Sequence, residues 1–228
     1  MKINGREIKL IIFDLDGTLL DSSHVWANVD KNFFAKRKID MPKDYGKIIG
    51  PLGIEKASEY TKKTFNLEES TEEIIQEWEN ETLHLYESSV NLKPHAKTFL
   101  NLAKDLGCIL TVATANNEKC FLPCLKRNQI VEYFSSIHDV KNYPNGKNDV
   151  SIYLDIANKY QVDPNEILVI EDISIAIKVC KEKGFITCAI FEKTSNEEEE
   201  KKALADIYIN DFKDLIDLTN KGEIYEKN

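Results

Sequence analysis

The sequence predicts an α/β fold: a doubly wound parallel sheet with an inserted all-helical block. Three observations predict it. Short apolar runs alternate with helical patterns along most of the chain. Those runs are short, mostly apolar and bounded by breakers or charges, which suits strands covered on both faces. Residues 22–90 break the alternation, with helical patterning and no convincing strand.

The elements follow in chain order. Residues 8–13, 108–113, 167–170 and 185–190 read as buried strands, each bounded by charges or breakers. In the helical block, Ile74, Ile75, Trp78, Leu83 and Leu85 mark one helix over residues 71–86, and Ser70 and Glu73 stand at capping-box spacing before it. Residues 91–94 form the return hinge. A helix then runs from Pro94 to Gly107, a second over 149–160, and a third over 173–183 closed by Gly184. The expected division is a core of residues 1–21 and 91–228 and a helical unit of residues 22–90. The acidic run Glu197 to Glu200 precedes Lys201 and Lys202, so that Glu197/Lys201 and Glu198/Lys202 pair at i,i+4 on a solvated helix face. From Asn220 onward the chain is polar and reads as a loose tail.

Composition bounds the function. The 228 residues suffice for one sizeable core and a smaller unit. A net charge of −9 argues against nucleic acid or an anionic membrane as the main partner. It leaves a phosphorylated substrate open, because a bound cation inverts the local field. The longest N-terminal apolar run, residues 10–13, is far too short to span a bilayer, and residues 1–10 carry no signal-peptide pattern. Cys108, Cys120, Cys124, Cys180 and Cys188 are odd in number, as expected for reduced thiols in a cytoplasmic protein.

The polar groups at the strand ends carry the chemistry. In such a sheet the site forms beyond the carboxyl ends of the strands. Asp14 follows the first strand, Thr114 the second, and Glu171 and Asp172 the third; Lys147 lies in the loop before the helix at 149. Asp14 and Asp16 stand two apart and repel unless a cation offsets them. Gly17 permits a turn after them. A calcium loop needs Glu at its twelfth position, which here is Val25.

These residues resemble the haloacid dehalogenase superfamily. Asp14-Leu15-Asp16-Gly17-Thr18-Leu19-Leu20-Asp21 matches the family's first motif, Val112-Ala113-Thr114-Ala115-Asn116 the second, Lys147 the third and Ile170-Glu171-Asp172 the fourth, over roughly residues 8–190. The helical block resembles the small cap of the subgroup that includes phosphoglycolate phosphatase and β-phosphoglucomutase. Departures occur after Lys147, where Asn148-Asp149-Val150-Ser151 replaces the usual Pro-x-Pro-Asp, and after Asp172, where Ile173 and Ala176 replace the usual Ser and Gly. Lys141 is a substitute for Lys147 on this pattern.

The resemblance implies a magnesium-dependent phosphatase acting on a small phosphorylated metabolite. Asp14 would be the nucleophile and Asp16 the general acid and base. Mg²⁺ would be held by Asp14, the backbone carbonyl of Asp16, and Asp172, with Glu171 acting through water. Thr114, the amides around Ala115 and Asn116, and Lys147 would balance charge on the phosphoryl oxygens. Thr18 and Asp21 would fix the turn. A sugar-phosphate mutase is the alternative; its subgroup places a histidine where this chain has Trp26, with His24 two positions off. A non-catalytic binding module is the remote alternative. The segment 48–53, with Gly50, Pro51 and Gly53, is expected to help select substrate. The residues leave the ester and the oligomeric state open.

Overall fold

A computed structural model describes residues 1–49, 52 and 54–226. The chain divides into two compact units, one of Met1–Asp21 with the chain from Asn91 onward, the other Ser22–Val90.

The first unit is built on a six-stranded parallel sheet. Its strands are β3 (Leu10–Phe13), β4 (Ile109–Thr114), β5 (Ser136–Asp139), β6 (Ile167–Glu171), β7 (Ile186–Ile190) and β8 (Ile207–Ile209), in the order β5-β4-β3-β6-β7-β8. A separate antiparallel hairpin, β1 (Lys2–Ile3) with β2 (Arg6–Glu7), precedes it. The order reverses direction at β3, which pairs with β4 on one side and β6 on the other. That reversal is the topological switch point, where such sheets open a crevice at their carboxyl ends. β3, β6 and β7 are buried at every position, which is why their sequences are apolar runs without alternation. The sequence patterns miss β5, β8 and the hairpin. β5 (Ser-Ile-His-Asp) is a half-buried edge strand with two polar ends, and β8 is three residues long. Neither offers an apolar run long enough to stand out.

Helices α5 (Ala96–Asp105), α6 (Glu118–Arg127), α7 (Ser151–Tyr160), α8 (Ser174–Glu182), α9 (Glu198–Leu204) and α10 (Phe212–Glu226) complete this unit. One core cluster joins Leu10 and Ile12 of β3, Val169 of β6, Ile152, Tyr153 and Ile156 of α7, and Ala176 and Cys180 of α8. Two expectations are corrected. Residues 220–226 continue α10 rather than forming a loose tail. The acidic run is not a plain solvated face, because Lys201 of α9 is fully buried. Its Nζ donates to the Ile190 carbonyl at 3.0 Å and pairs with Glu198 at 2.6 Å, so the pairs formed are the i,i+3 pairs Glu198–Lys201 and Glu199–Lys202. A lysine can be buried here because the last carbonyl of β7 and a carboxylate satisfy it together.

The second unit is all helical: α1 (Val25–Lys36), α2 (Tyr45–Ile49), α3 (Ile54–Phe65) and α4 (Thr71–Ser88). Its core is aromatic, with Phe33, Phe34, Tyr45, Phe65 and Trp78 in edge-on contacts. The capping box at α4 forms, with the Glu73 amide donating to Ser70 Oγ at 3.1 Å and the Ser70 amide donating to Glu73 at 2.7 Å. Of the segment 48–53, Gly50, Pro51 and Gly53 lie outside the described residues. No helix among the described residues is long and apolar enough to cross a membrane.

Candidate active site

Asp14 is the first residue beyond β3, and its amide donates to the Ile170 carbonyl of β6 at 3.0 Å. That bond carries the pairing one residue past the strand and fixes the Asp14 backbone against β6. Glu171 is the last residue of β6, and Asp172 follows it. Carboxylate oxygens of Asp14, Glu171 and Asp172 all lie within 4.8 Å of one another. Lys147 reaches the same point from the short 3-10 turn Gly146–Asn148. Its ammonium is buried and contacts Asp14 Oδ1, and it donates to Glu171 Oε1 at 2.6 Å. Tyr153 of α7 also donates to Glu171 Oε1, at 2.7 Å.

Three carboxylates therefore meet, and Lys147 pairs with two of them. Burial pushes the Glu171 carboxyl up to about 7 in spite of Lys147. Burial, and then the charges of Asp14 and Glu171, push Asp172 up to about 8. Burial pulls the Lys147 ammonium down, but the two carboxylates more than offset it and leave it raised. Glu171 Oε2 is buried with no hydrogen-bond partner among the described residues.

Gly17 makes the approach possible. Its φ is +77°, and a Cβ on it would lie 2.2 Å from Asp172 Oδ2. Any side chain there would drive Asp172 out of its place. The turn is closed by the Gly17 amide on the Leu20 carbonyl at 3.1 Å and the Leu20 amide on the Leu15 carbonyl at 2.8 Å.

Thr114, the last residue of β4, is buried, and its Oγ1 accepts from the Asn116 amide at 3.0 Å. The Asn116 side chain takes a part that its position in the sequence does not suggest. Its Nδ2 donates to Asp16 Oδ2 at 2.7 Å. The Asp16 carboxylate stands outside the three-carboxylate cluster. Ala115 is exposed beside it. Lys141, the substitute for Lys147, lies elsewhere, in the short turn Val140–Asn142 after β5.

Two further residues support the site without any motif to mark them. Tyr153 is one. Glu197 is the other: its Oε2 accepts from the Ser174 amide at 3.0 Å and from Ser174 Oγ at 2.8 Å. The N-cap of α8 is Ile173, which has no side chain able to cap. Glu197 supplies the missing acceptor from 23 residues away, and its charge suits a helix N-terminus. The signal in the sequence is the departure itself, an isoleucine where an N-cap belongs.

Hard, anionic oxygen donors of this kind suit a magnesium ion. The raised carboxyls and the unpartnered Glu171 Oε2 are what a cation would relieve, so the residues present fit one.

The sequence profile of haloacid dehalogenase-like hydrolases matches residues 11–190. The chain belongs to that family. As a member it is a hydrolase. It is 29% identical over 192 residues to a phosphoglycolate phosphatase of Vibrio cholerae, covering 78% of this chain and 82% of that one. It is 22% identical over 214 residues to hexitol phosphatase B of Escherichia coli K12, covering 92% of this chain and 95% of the other. In fold it is similar to a candidate β-phosphoglucomutase from Thermotoga maritima, with a TM-score of 0.84 at 18% identity over 94% of this chain and 99% of that one.

Proposed function

We propose that this hydrolase is a magnesium-dependent, cytoplasmic phosphatase that cleaves a small phosphate monoester through an aspartyl-phosphate on Asp14. The observation that carries the reading is the charge imbalance at the switch point: Asp14, Glu171 and Asp172 lie within 4.8 Å of one another, and Lys147 pairs with two of them, Asp14 and Glu171. Phosphatase names among its relatives also support it.

Asp14, Asp172 and Glu171 would hold the ion, with the Asp16 backbone carbonyl as a further donor. When bound, magnesium supplies charge that attracts a phosphoryl oxygen and stabilises the negative charge of the transition state. The remaining work falls to the chain's own groups. An Asp14 carboxylate oxygen attacks phosphorus as the ester P–O bond breaks. Lys147 orients Asp14 and offsets charge on the phosphoryl oxygens, helped by Thr114 Oγ1 and the amides of Ala115 and Asn116. Asp16 gives its proton to the leaving oxygen, then takes one from the water that attacks the phosphoenzyme, which frees Asp14 and releases phosphate. The hydrogen bond from Asn116 fixes the Asp16 carboxylate for both transfers. The helical unit would serve as a cap that selects the ester.

Phosphate release from a panel of metabolite esters, with and without magnesium, tests the reading. Asp14→Asn is expected to lower turnover by more than about 10³-fold. A purified Asp14→Asn protein that keeps wild-type turnover in magnesium rejects it.

A further inference from the structure

Two donors reach one oxygen of Glu171 and none reaches the other. Lys147 Nζ donates to Glu171 Oε1 at 2.6 Å, and Tyr153 Oη donates to the same atom at 2.7 Å. Oε2 is buried with no hydrogen-bond partner among the described residues. A buried hydroxyl needs an acceptor and a buried carboxylate needs donors. Sharing the two donors between the two oxygens would meet both needs. Instead one oxygen is left bare where a bare oxygen is costly.

The chain holds both donors in place. Lys147 lies in the turn Gly146–Asn148, and Tyr153 in the first turn of α7 that follows it. Asp149 ties the two together. Its Oδ2 accepts from Asn145 Nδ2 at 2.8 Å, before the turn, and its Oδ1 accepts from the Ser151 amide at 2.8 Å, at the start of the helix. Asp149 belongs to the stretch that replaces the family's usual Pro-x-Pro-Asp. The Tyr153 side chain is fully buried in the cluster with Ile152 and Ile156, and its ring stands edge-on to Phe185 with centroids 6.4 Å apart. Packing on that scale stops the hydroxyl from following Glu171 when the carboxylate turns.

We infer that Tyr153 is a positioning residue that restricts Glu171 to a single free oxygen, and that this restriction sets the cluster's preference for magnesium over calcium. Magnesium is small, keeps several of its waters and takes few carboxylate oxygens in near-octahedral places. Calcium is larger, takes more oxygens and accepts both oxygens of one carboxylate. With Oε1 occupied, Glu171 offers a cation Oε2 alone, directly or through a water, which serves the first ion and not the second. Lys147 does not impose this by itself, because it also pairs with Asp14 and has a flexible stem. Without the hydroxyl, Glu171 can turn both oxygens to a cation. The inference rests on the cluster holding a cation, as in the phosphatase reading above, and concerns which cation.

The test is titration calorimetry of magnesium chloride and, separately, calcium chloride into the substrate-free full-length protein and into Tyr153→Phe. The substitution keeps the ring and removes one oxygen, and circular dichroism with a melting curve verifies the fold. The Kd for magnesium should rise about tenfold, as it does when a metal ligand loses the group that orients it. The Kd for calcium should change by less than about twofold, so the ratio of affinities moves toward calcium by about fivefold or more. A hydroxyl that merely propped the site would weaken both ions alike.

A loss of calcium affinity equal to or greater than the loss for magnesium overturns the inference. Unchanged affinity for both ions overturns it as well. In either case magnesium binding by the wild type leaves the phosphatase reading standing. A wild type that binds neither ion overturns the inference; if it also releases no phosphate from the ester panel in magnesium, the phosphatase reading falls too.

Discussion

At the ends of β3 and β6, three carboxylates meet and Lys147 pairs with two of them; around the end of β7, each buried lysine has a carboxylate of its own. Lys93 donates to the Phe191 carbonyl at 2.8 Å and to Glu192 at 2.7 Å. Lys201 has the Ile190 carbonyl and Glu198. Both groups are buried and both lie in the same unit, yet their acids titrate in opposite directions. Burial raises Glu192 and Glu198, but hydrogen bonds and charge from Lys93 and Lys201 win and hold both below the usual range. At Glu171 and Asp172, burial and neighbouring negative charge win. Balanced charge of the first kind holds a loop in place. Unbalanced charge of the second kind costs stability until something positive arrives, which is what a site for metal and phosphate requires.

The largest effect that can break this comparison is on the balanced side. Lys201→Met leaves the Ile190 carbonyl and part of Glu198 without a partner, and should destabilise the fold by about 3 kcal/mol. Denaturant melting measures it. KM for any hydrolysed ester should change little in the protein that remains folded. If Lys201→Met instead melts like wild type and loses activity, the β7 group belongs to the site.

Glu197 gives a smaller effect that sharpens the boundary between the groups, since it comes from the β7 side and holds the turn that carries Asp172. Glu197→Ala should weaken magnesium binding about tenfold, the lower end of what residues supporting a metal ligand contribute. Titration calorimetry of magnesium into the substrate-free protein reads this directly. Glu197→Gln keeps the acceptor oxygen and should restore most of the affinity. Equal affinity in the alanine variant would show that the Asp172 turn holds itself.

The smallest effect is a pH slope after magnesium is removed with a chelator. The carboxyl groups of Glu171 and Asp172 sit at about 7 and about 8 in the folded chain, above their ordinary 4.5 and 3.8. The folded state therefore holds protons that the unfolded state has lost, and stability from these groups is complete below about pH 4 and disappears as pH rises through 8. The Tm of the metal-free wild type relative to Asp172→Asn should fall by about 3 °C between pH 5 and pH 8.5. Added magnesium should raise Tm more at pH 8.5 than at pH 5. A flat difference would mean that the three carboxylates do not strain one another.

What the sequence disclosed follows the same division. The parallel sheet was legible because β3, β6 and β7 are largely apolar runs without alternation. Asp14, Thr114, Glu171 and Asp172 were legible because each ends or directly follows such a strand. Lys147 could be placed only by its resemblance to a motif, since nothing local distinguishes it from a surface lysine; its burial depends on carboxylates 133 and 24 residues away. Lys201 was misread for a related reason. Helical spacing pairs it with Glu197 at i,i+4, and only the position of α9 against the end of β7 turns it inward. Asn116 and Tyr153 were invisible as partners of Asp16 and Glu171, because hydrogen bonds across 100 and 18 residues leave no periodic trace.

The clamp from Glu197 has a consequence for where the working part of the chain ends. The stretch shared with the family closes at residue 190, seven residues short of Glu197. A fragment cut at that border would retain each of the four signature segments. It would also lose the acceptor for the Ser174 amide, the helix that carries Lys201, and β8, the outer neighbour of β7. The segments that identify this hydrolase and the segments that keep them in register are thus different lengths of polypeptide, and the second extends past the first.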